Sequence, residues 1–346
     1  MSLLIDANNS KTTQAEDDPG TGNQNIFSKS FTDVDTFKEF FEYQNKEIIQ
    51  LSPGPLQAEL LSIQIGNLYF VYNQANQGIQ FSGEGGKEYI SFAILWSENE
   101  KEYYSFRHPV EPQRTLFGFN NREADDIFPQ SVRLTHIIIP VQTFDAYADQ
   151  LQRHDLDDNF RSKNHVNLLP TGMNEIKDYL KQLIWLAVHK PNWLQKPHIE
   201  KLVADDFIPL LISNIPIKLN SKCFIKPSRR AKLIAQAEKE MLANLEKPLT
   251  LKQLAQNLGS SSSALSYGFQ ELFGLSPMRY LKVRRLHAVR ERLKASEPER
   301  CTIAILASQF GFYSPCHFTK DYKAMFGELP SETLQNTAKV SLSIDR

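Results

Sequence analysis

One pattern occurs twice in the C-terminal third of this chain, and few folds accommodate it. Residues 302–330 read TIAILASQFGFYSPCHFTKDYKAMFGELP. Ile303, Leu306, Ala307 and Phe310 fall at i, i+3, i+4 and i+7, one apolar stripe on a short helix. Gly311 follows, where a residue free to take φ > 0 ends a helix at the least steric cost. Ser314 offers an N-cap oxygen, and Pro315 takes the first helical position, where its missing N–H is harmless. Phe318, Tyr322, Met325 and Phe326 make the apolar face of a second helix, leaving Cys316, His317, Lys320 and Lys323 on or near its open face. The spacing predicts helix, tight turn, helix. A helix with one stripe buried against a short partner and the opposite face polar is shaped to enter a DNA major groove.

The earlier copy lies 52 positions upstream: Leu251, Leu254, Ala255, Leu258 and Gly259 match Ile303, Leu306, Ala307, Phe310 and Gly311. Past the turn the offset is 53, and Leu265, Phe269, Phe273, Gly274 and Pro277 match Phe318, Tyr322, Phe326, Gly327 and Pro330. Self-similarity at a fixed period carries more weight than either copy alone. Between the copies the pattern predicts a helix over residues 277–294, with Tyr280, Leu281, Leu286, Val289 and Leu293 available for packing. At ~1.5 Å per residue it spans ~27 Å. That is near the ~34 Å between successive major grooves on one side of DNA, so such a rod presents two reading helices to adjacent grooves.

On these residues the chain resembles the AraC/XylS-type transcription regulators. GFYSPCHFTKDYKAMFGELPSE resembles the family signature, and LKQLAQNLGSSSSALSYGFQELFGLSPMRYLKVRRL resembles its first helix-turn-helix and linker helix. The likeness covers residues 232–337. An aromatic residue followed by Arg commonly closes the family pattern, and here Thr333 and Leu334 stand in that place. The resemblance implies that Ser263, Ser266 and Tyr267 in the first copy, and Cys316, His317, Thr319 and Lys320 in the second, occupy the places that reach bases or phosphates.

The chemistry of these side chains bears on that assignment. Serine hydroxyls bond to either groove edge, and Tyr267 suits a thymine methyl or a phosphate. Lys320 suits a guanine or a phosphate, and the state of His317 depends on pH. The helix of the first copy offers no Arg for a two-bond contact with guanine. Arg279, Lys282, Arg284, Arg285, Arg290, Arg292 and Lys294 crowd the linker helix, and some of them are expected to meet phosphates, Arg279 first among them. Gly268 costs its helix ~1 kcal/mol relative to Ala, which points to a close backbone approach of unspecified kind.

At 346 residues, two domains are the natural expectation. The net charge of −1 hides a split: residues 228–346 hold 18 Lys/Arg against 11 Asp/Glu, and the remainder holds 21 against 29. A basic C-terminal part joined to an acidic N-terminal part fits a chain of which only the first meets phosphates. Cys223, Cys301 and Cys316 form no CxxC or Cys/His zinc spacing, and an odd count points to a reducing compartment. No segment has the length of apolar sequence that a membrane span needs, and the N-terminus lacks the pattern of a secretory signal, so a cytoplasmic protein with no membrane contact is expected.

Residues 1–25 are polar and mixed and read as a disordered tail. A short helix is expected near residues 34–43, then short strands with Gly/Pro punctuation over residues 47–141, with GEGG at 83–86 as a turn. After Pro140 the period becomes helical over residues 141–153, 173–188 and 199–211, the last with Pro209 as a candidate break. These helices either pack on the β region or pair between two chains. The expected fold class is α+β: an N-terminal small antiparallel β-barrel or sandwich with helices, then an all-α domain with two helix-turn-helix units joined by a linker helix. The expected division is a tail to 25, a sensory or dimerisation domain over 26–214, a linker over 215–230, a DNA-binding domain over 231–337 and a tail over 338–346. The N-terminal arrangement is similar to the sensory half of AraC-type regulators, loosely to the ethanolamine-operon type.

Enzyme chemistry finds little support. His108 and His136 are the only candidates for a barrel metal site, the strand-borne HxH is absent, and both read as structural. There is no GxSxG, Walker loop or GxGxxG at a strand-to-helix turn. The expectation is a sequence-specific DNA-binding transcription regulator that uses no cofactor or metal. Its partners are promoter DNA, RNA polymerase, a small-molecule effector or partner protein, and a second copy in a homodimer. A ligand-independent DNA-binding dimer is the alternative, and a barrel-type metal oxygenase fused to a DNA-binding domain is the remote one.

Overall fold

The computed structural model describes residues 25–41, 46–84, 86–96, 103–119, 123–217, 229–297 and 302–336. The expected tails, save Asn25, lie outside them, as do Cys223, Cys301 and the connector from 218 to 228.

The N-terminal part begins with β1 (Ile26–Phe31), α1 (Val34–Phe41) and β2 (Lys46–Gln50). The strands β3 (Ala58–Ile65), β4 (Leu68–Ala75), β5 (Ile79–Glu84), β6 (Tyr89–Leu95), β7 (Tyr103–Ser105), β8 (His108–Val110), β9 (Thr115–Phe117), β10 (Glu123–Phe128) and β11 (Val132–Pro140) follow. Next come α2 (Val141–Gln150), α3 (Asp158–Arg161), β12 (His165–Asn167), α4 (Pro170–His189), α5 (Pro191–Leu194) and α6 (Pro197–Asn214). The strands form two antiparallel sheets, a larger one ordered β1-β3-β4-β11-β6-β9-β12 and a smaller one ordered β2-β5-β10-β7-β8. The β3–β4 hairpin has Ile65 opposite Leu68, leaving Gly66 and Asn67 as a two-residue turn that needs the positive φ of Gly66 (+59°).

The larger sheet is buried on both faces. Ala58, Leu60, Ala75, Leu95 and Leu134 turn toward the smaller sheet, while Leu61, Ile63, Phe70, Phe92 and Ile137 turn toward α2, α4 and α6. Alternate side chains of one strand therefore serve two cores, which is why β3 reads as a near-continuous apolar run. The helices after the β region thus pack on the sheet. Pro209 does not break α6, which is continuous across it. Phe207, Ile208, Leu211 and Ile212 are fully buried on either side of it, and that burial outweighs the ~3 kcal/mol usual for an interior proline. The strand β5 also runs further than the glycines of GEGG suggest, because Gly83 and Glu84 pair with Ala124 and Glu123.

The C-terminal part is all helical: α7 (Arg229–Ala243), α8 (Leu251–Asn257), α9 (Ser262–Phe273), α10 (Pro277–Lys294), α11 (Ile303–Gln309) and α12 (Pro315–Phe326), then a helical turn at 330–336. Its core joins that of the smaller sheet in one apolar cluster running from Ile48, Phe81 and Phe128 to Phe269, Tyr280, Leu286 and Phe326.

Candidate nucleic-acid interface

The first helix-turn-helix is α8 and α9. Thr250 caps α8 through a reciprocal box with Gln253, the chain turns at Gly259 (φ +59°), and the Ser261 hydroxyl accepts from the Ala264 N–H at 3.1 Å. The second is α11 and α12, turning at Gly311 (φ +83°). Ser314 stands at the N-cap of α12 as the sequence suggests, but its side chain makes no capping bond, so the expected N-cap oxygen is not used.

Burial follows the apolar stripes. Leu265, Phe269, Leu272 and Phe273 of α9 are buried, as are Phe318, Tyr322, Met325 and Phe326 of α12. The opposite faces are open. Ser263 and Tyr267 are exposed and Ser266 is half-buried; Cys316, His317 and Lys320 are exposed and Thr319 is half-buried. The structure therefore places Ser263, Ser266 and Tyr267 together on one open face and Cys316, His317, Thr319 and Lys320 on another, with α10 between them. Arg279, in the first turn of α10, is also exposed and makes no ion pair with any described residue.

The other linker cations are differently placed. Arg284 pairs with Glu47 at 2.9 Å. Arg290 is 1% exposed and contacts Asp33, Asp35 (2.6 Å) and Glu328 (2.6 Å). Lys294 reaches Asp35 at 2.7 Å. Tyr280, Arg284, His287, Glu291 and Lys294 recur at i, i+4, i+7, i+11 and i+14, one stripe along α10 facing the N-terminal domain. Arg284, Arg290 and Lys294 are thus engaged by acidic side chains of the N-terminal domain, and part of the charge split seen in the sequence is complementarity within the chain. Lys282 lies about half a turn away and pairs with Asp321 of α12 at 2.5 Å, while Arg285 donates to the carbonyls of Leu245 and Lys247.

Further contacts join the domains. The loop after β2 reaches the last turn of α12, where the Gly54 N–H (3.2 Å) and the Gln50 side-chain amide (3.0 Å) donate to the Met325 carbonyl. That carbonyl is one of the terminal groups a helix leaves unpaired, so the N-terminal domain caps α12. Deeper in, Glu238 of α7 accepts from Gln80 at 2.8 Å, from the Tyr280 hydroxyl and from Arg107. Burial alone would raise the Glu238 carboxyl, but Arg107, Tyr280 and Gln80 outweigh it and hold the group below its ordinary value. Arg107 sits in a turn where both it and Phe106 have positive φ (60° and 47°), a local strain that aims the guanidinium across the interface. His287 is pushed down to about 4 by burial, so it is neutral, and its Nε2–H donates to the Gln50 carbonyl at 3.0 Å.

Sequence reasoning missed Glu238, Arg107, Asp33 and Asp35, because their partners in the other half of the chain are 131 to 261 positions away and no local pattern marks them. It also missed Arg230 of α7, whose guanidinium lies 4.5 Å from the centre of the Tyr267 ring. The run of Ala231, Ile234, Ala237 and Met241 would have revealed α7 as amphipathic, but not which helix it meets. Gly268 faces Ile234: a Cβ there would come within 2.5 Å of Ile234 Cδ1, and this is the close approach its cost implied. In the β domain the His108 ring lies tilted against that of His165 with centres 5.2 Å apart, and burial lowers both. Among the described residues no three His, Cys, Asp or Glu side chains gather as metal ligands, and no helix is long and apolar enough to cross a membrane.

A family described as a helix-turn-helix domain matches residues 254–336. The XylDLEGF operon transcriptional activator 2 of Pseudomonas putida is 30% identical over 137 residues, covering 40% of this chain and 83% of that protein. A probable thc operon regulatory protein of Rhodococcus erythropolis is 38% identical over 93 residues, covering 27% of this chain; the chain spans only 28% of that relative's length. Among solved structures, a probable AraC family transcriptional regulator from Rhodopseudomonas palustris is 36% identical over 31% of this chain and 97% of its own, with a TM-score of 0.29.

Proposed function

Because this chain belongs to the AraC/XylS family of DNA-binding transcription regulators, we propose that it reads promoter DNA with two helices at once. Ser263, Ser266 and Tyr267 of α9 face one major groove, and Cys316, His317, Thr319 and Lys320 of α12 face the next. One observation carries the reading: matching faces of α9 and α12 stay open while a single 18-residue helix joins the two units. At ~27 Å that helix is a spacer of the right order for successive grooves. Exposed Arg279 adds a phosphate contact that gives affinity without sequence choice.

In this reading residues 231–337 are the DNA-binding domain, 215–230 the linker, and 26–214 the domain that senses a small molecule or a partner protein. Support for a sensory role comes from how that domain holds the reader: it grips the stripe on α10 and caps α12 at Met325. A ligand that prefers one arrangement of those contacts shifts DNA binding by its differential affinity. The protein works in the cytoplasm without a cofactor, and its further partners are RNA polymerase and a second copy of the chain.

A nuclease footprint on duplexes selected from a random-sequence pool tests the reading. Two protected stretches on one flank, about 10 base pairs apart, are expected. Protection of a single groove, or no binding to any duplex at low salt, ends it.

A further inference from the structure

The first reading helix has no positive charge of its own. Its sequence, SSALSYGFQELF, carries one charged residue, Glu271, and that charge is negative. Polyanionic DNA repels such a face unless another element supplies a cation. The tertiary structure supplies one. Arg230 projects from the first turn of α7, lies over the exposed ring of Tyr267 at 4.5 Å and pairs with Glu271 at 2.7 Å. Tyr267 and Glu271 are four residues apart, so one guanidinium spans two neighbouring side chains on the same face. Gly268, between them, makes this possible: with no side chain there, α7 packs against α9 through Ile234 and Arg230.

We propose that Arg230 is the phosphate-binding cation of the first helix-turn-helix unit, held over Tyr267 with its charge balanced by Glu271 until DNA arrives. This rests on the proposed placement of α9 in a major groove. Tyr267 and Glu271 lie in the second and third turns of α9, behind the N-terminal turn that goes deepest among the bases. A cation there meets the strand that flanks the groove. Its side chain is 50% exposed and that of Glu271 34%, so a phosphate can take the guanidinium without a fully buried charge being stranded. A planar guanidinium keeps one edge for the Glu271 carboxylate or a phosphate oxygen while its face rests on the ring. The second unit has a parallel arrangement on different positions: the one acidic residue of α12, Asp321, is paired by Lys282 from the neighbouring α10. In both units a reading helix has its carboxylate neutralised by a cation from an adjacent helix.

The test uses the full chain, a duplex enriched by the wild type from a random pool, and a scrambled duplex of the same composition, over a salt series. Arg230→Gln is expected to weaken both duplexes by the same factor, several-fold, and to reduce the slope of log K against log salt by about 0.9. Arg230→Lys is expected to keep the slope. Glu271→Gln is expected to tighten both duplexes, because the phosphate no longer competes with a carboxylate. Arg230→Gln with an unchanged slope and an unchanged melting temperature overturns the proposal. So does loss on the enriched duplex alone, which makes Arg230 a base reader. So does weaker binding by Glu271→Gln, which makes the pair a structural tether. If Arg230→Gln does not fold, the Lys variant and the sign of the Glu271→Gln effect decide. A wild type that enriches no sequence removes the proposed function itself, an outcome separate from all of these.

Discussion

Arg290 of the linker helix and Asp35 of α1 meet across the two domains at 2.6 Å, with the arginine 1% exposed. The same guanidinium contacts Asp33, Glu328 of the segment after α12, and the hydroxyls of Tyr322 (3.3 Å) and Thr333 (3.4 Å). One side chain therefore ties the N-terminal domain, the linker helix and the end of the second reading unit together. Burial alone would raise the Asp35 carboxyl, but Arg290 and Lys294 outweigh it and hold it below its ordinary value. Thr333 and Leu334, which replace the aromatic-Arg pair common in the family, are both buried here, and Thr333 shares its hydroxyl with Tyr322 at 2.8 Å.

Replacing Arg290 strands these carboxylates. Arg290→Ala is expected to lower stability by about 3 kcal/mol, the lower end of the range for breaking a buried pair, since Asp33 and Glu328 keep some solvent. Asp33→Asn, with its carboxylate better exposed, is expected to cost less than about 1 kcal/mol. Urea unfolding followed by circular dichroism compares them; equal losses would show that Asp33 contributes as much as the whole node.

The interface also has a pH dependence with a definite sign. His287 titrates near 4 in the folded chain, below the ordinary 6.5, chiefly because it is buried, with Arg284 and Arg290 acting in the same direction. A group whose folded pKa is lowered contributes stability that is complete above its unfolded pKa. Stability is therefore expected to fall as pH drops from about 6.5 toward 4, by roughly 3 kcal/mol from this residue. The depressed carboxyls Glu238 and Asp35 add their losses at lower pH still. His287→Phe keeps the ring packed on Phe326 and should flatten the upper part of this curve, measured as unfolding midpoints across the range.

The two reading helices begin differently, and the difference is measurable. Ser261→Ala removes a hydrogen bond to the Ala264 N–H and is expected to cost about 1 kcal/mol. Ser314→Ala removes no capping bond and is expected to cost only a few tenths of that. Thermal melts of both variants, side by side, check the order; a larger effect at Ser314 would contradict the described cap geometry.

On DNA, Lys320→Ala is expected to change which sequence is preferred, with a loss of about 1–3 kcal/mol confined to its base position. Arg279→Ala is expected to weaken all duplexes alike and to lower the salt slope by about one unit. Competition binding against a panel of single-base variants separates the two. Uniform losses for both would remove the division between base reading and phosphate contact.

Much of the reading apparatus is visible in the amino-acid order because it is local. A stripe at i, i+3, i+4 and i+7, a glycine where φ must be positive, and a proline at a first turn all act within about ten residues, and repeating them at a period of 52 leaves little choice of unit. By the same local logic Ser263, Tyr267, His317 and Lys320 had to face away from the apolar stripe, whatever else the chain did.

What the linker arginines touch, and what Gly268 makes room for, had no local signature. Arg279 and Arg290 look alike in sequence; one is open to solvent, and the other is buried among carboxylates that lie more than 250 positions earlier. Pro209 stays inside a helix only because its neighbours are buried on both sides. The order of residues determined which surfaces are apolar and where the helices of the two helix-turn-helix units start and stop, since those depend on periodicity and backbone sterics. The folded chain decided which charges meet and which remain free, since Coulomb and hydrogen-bond energies depend on distances in space that the position of a residue in the sequence does not set.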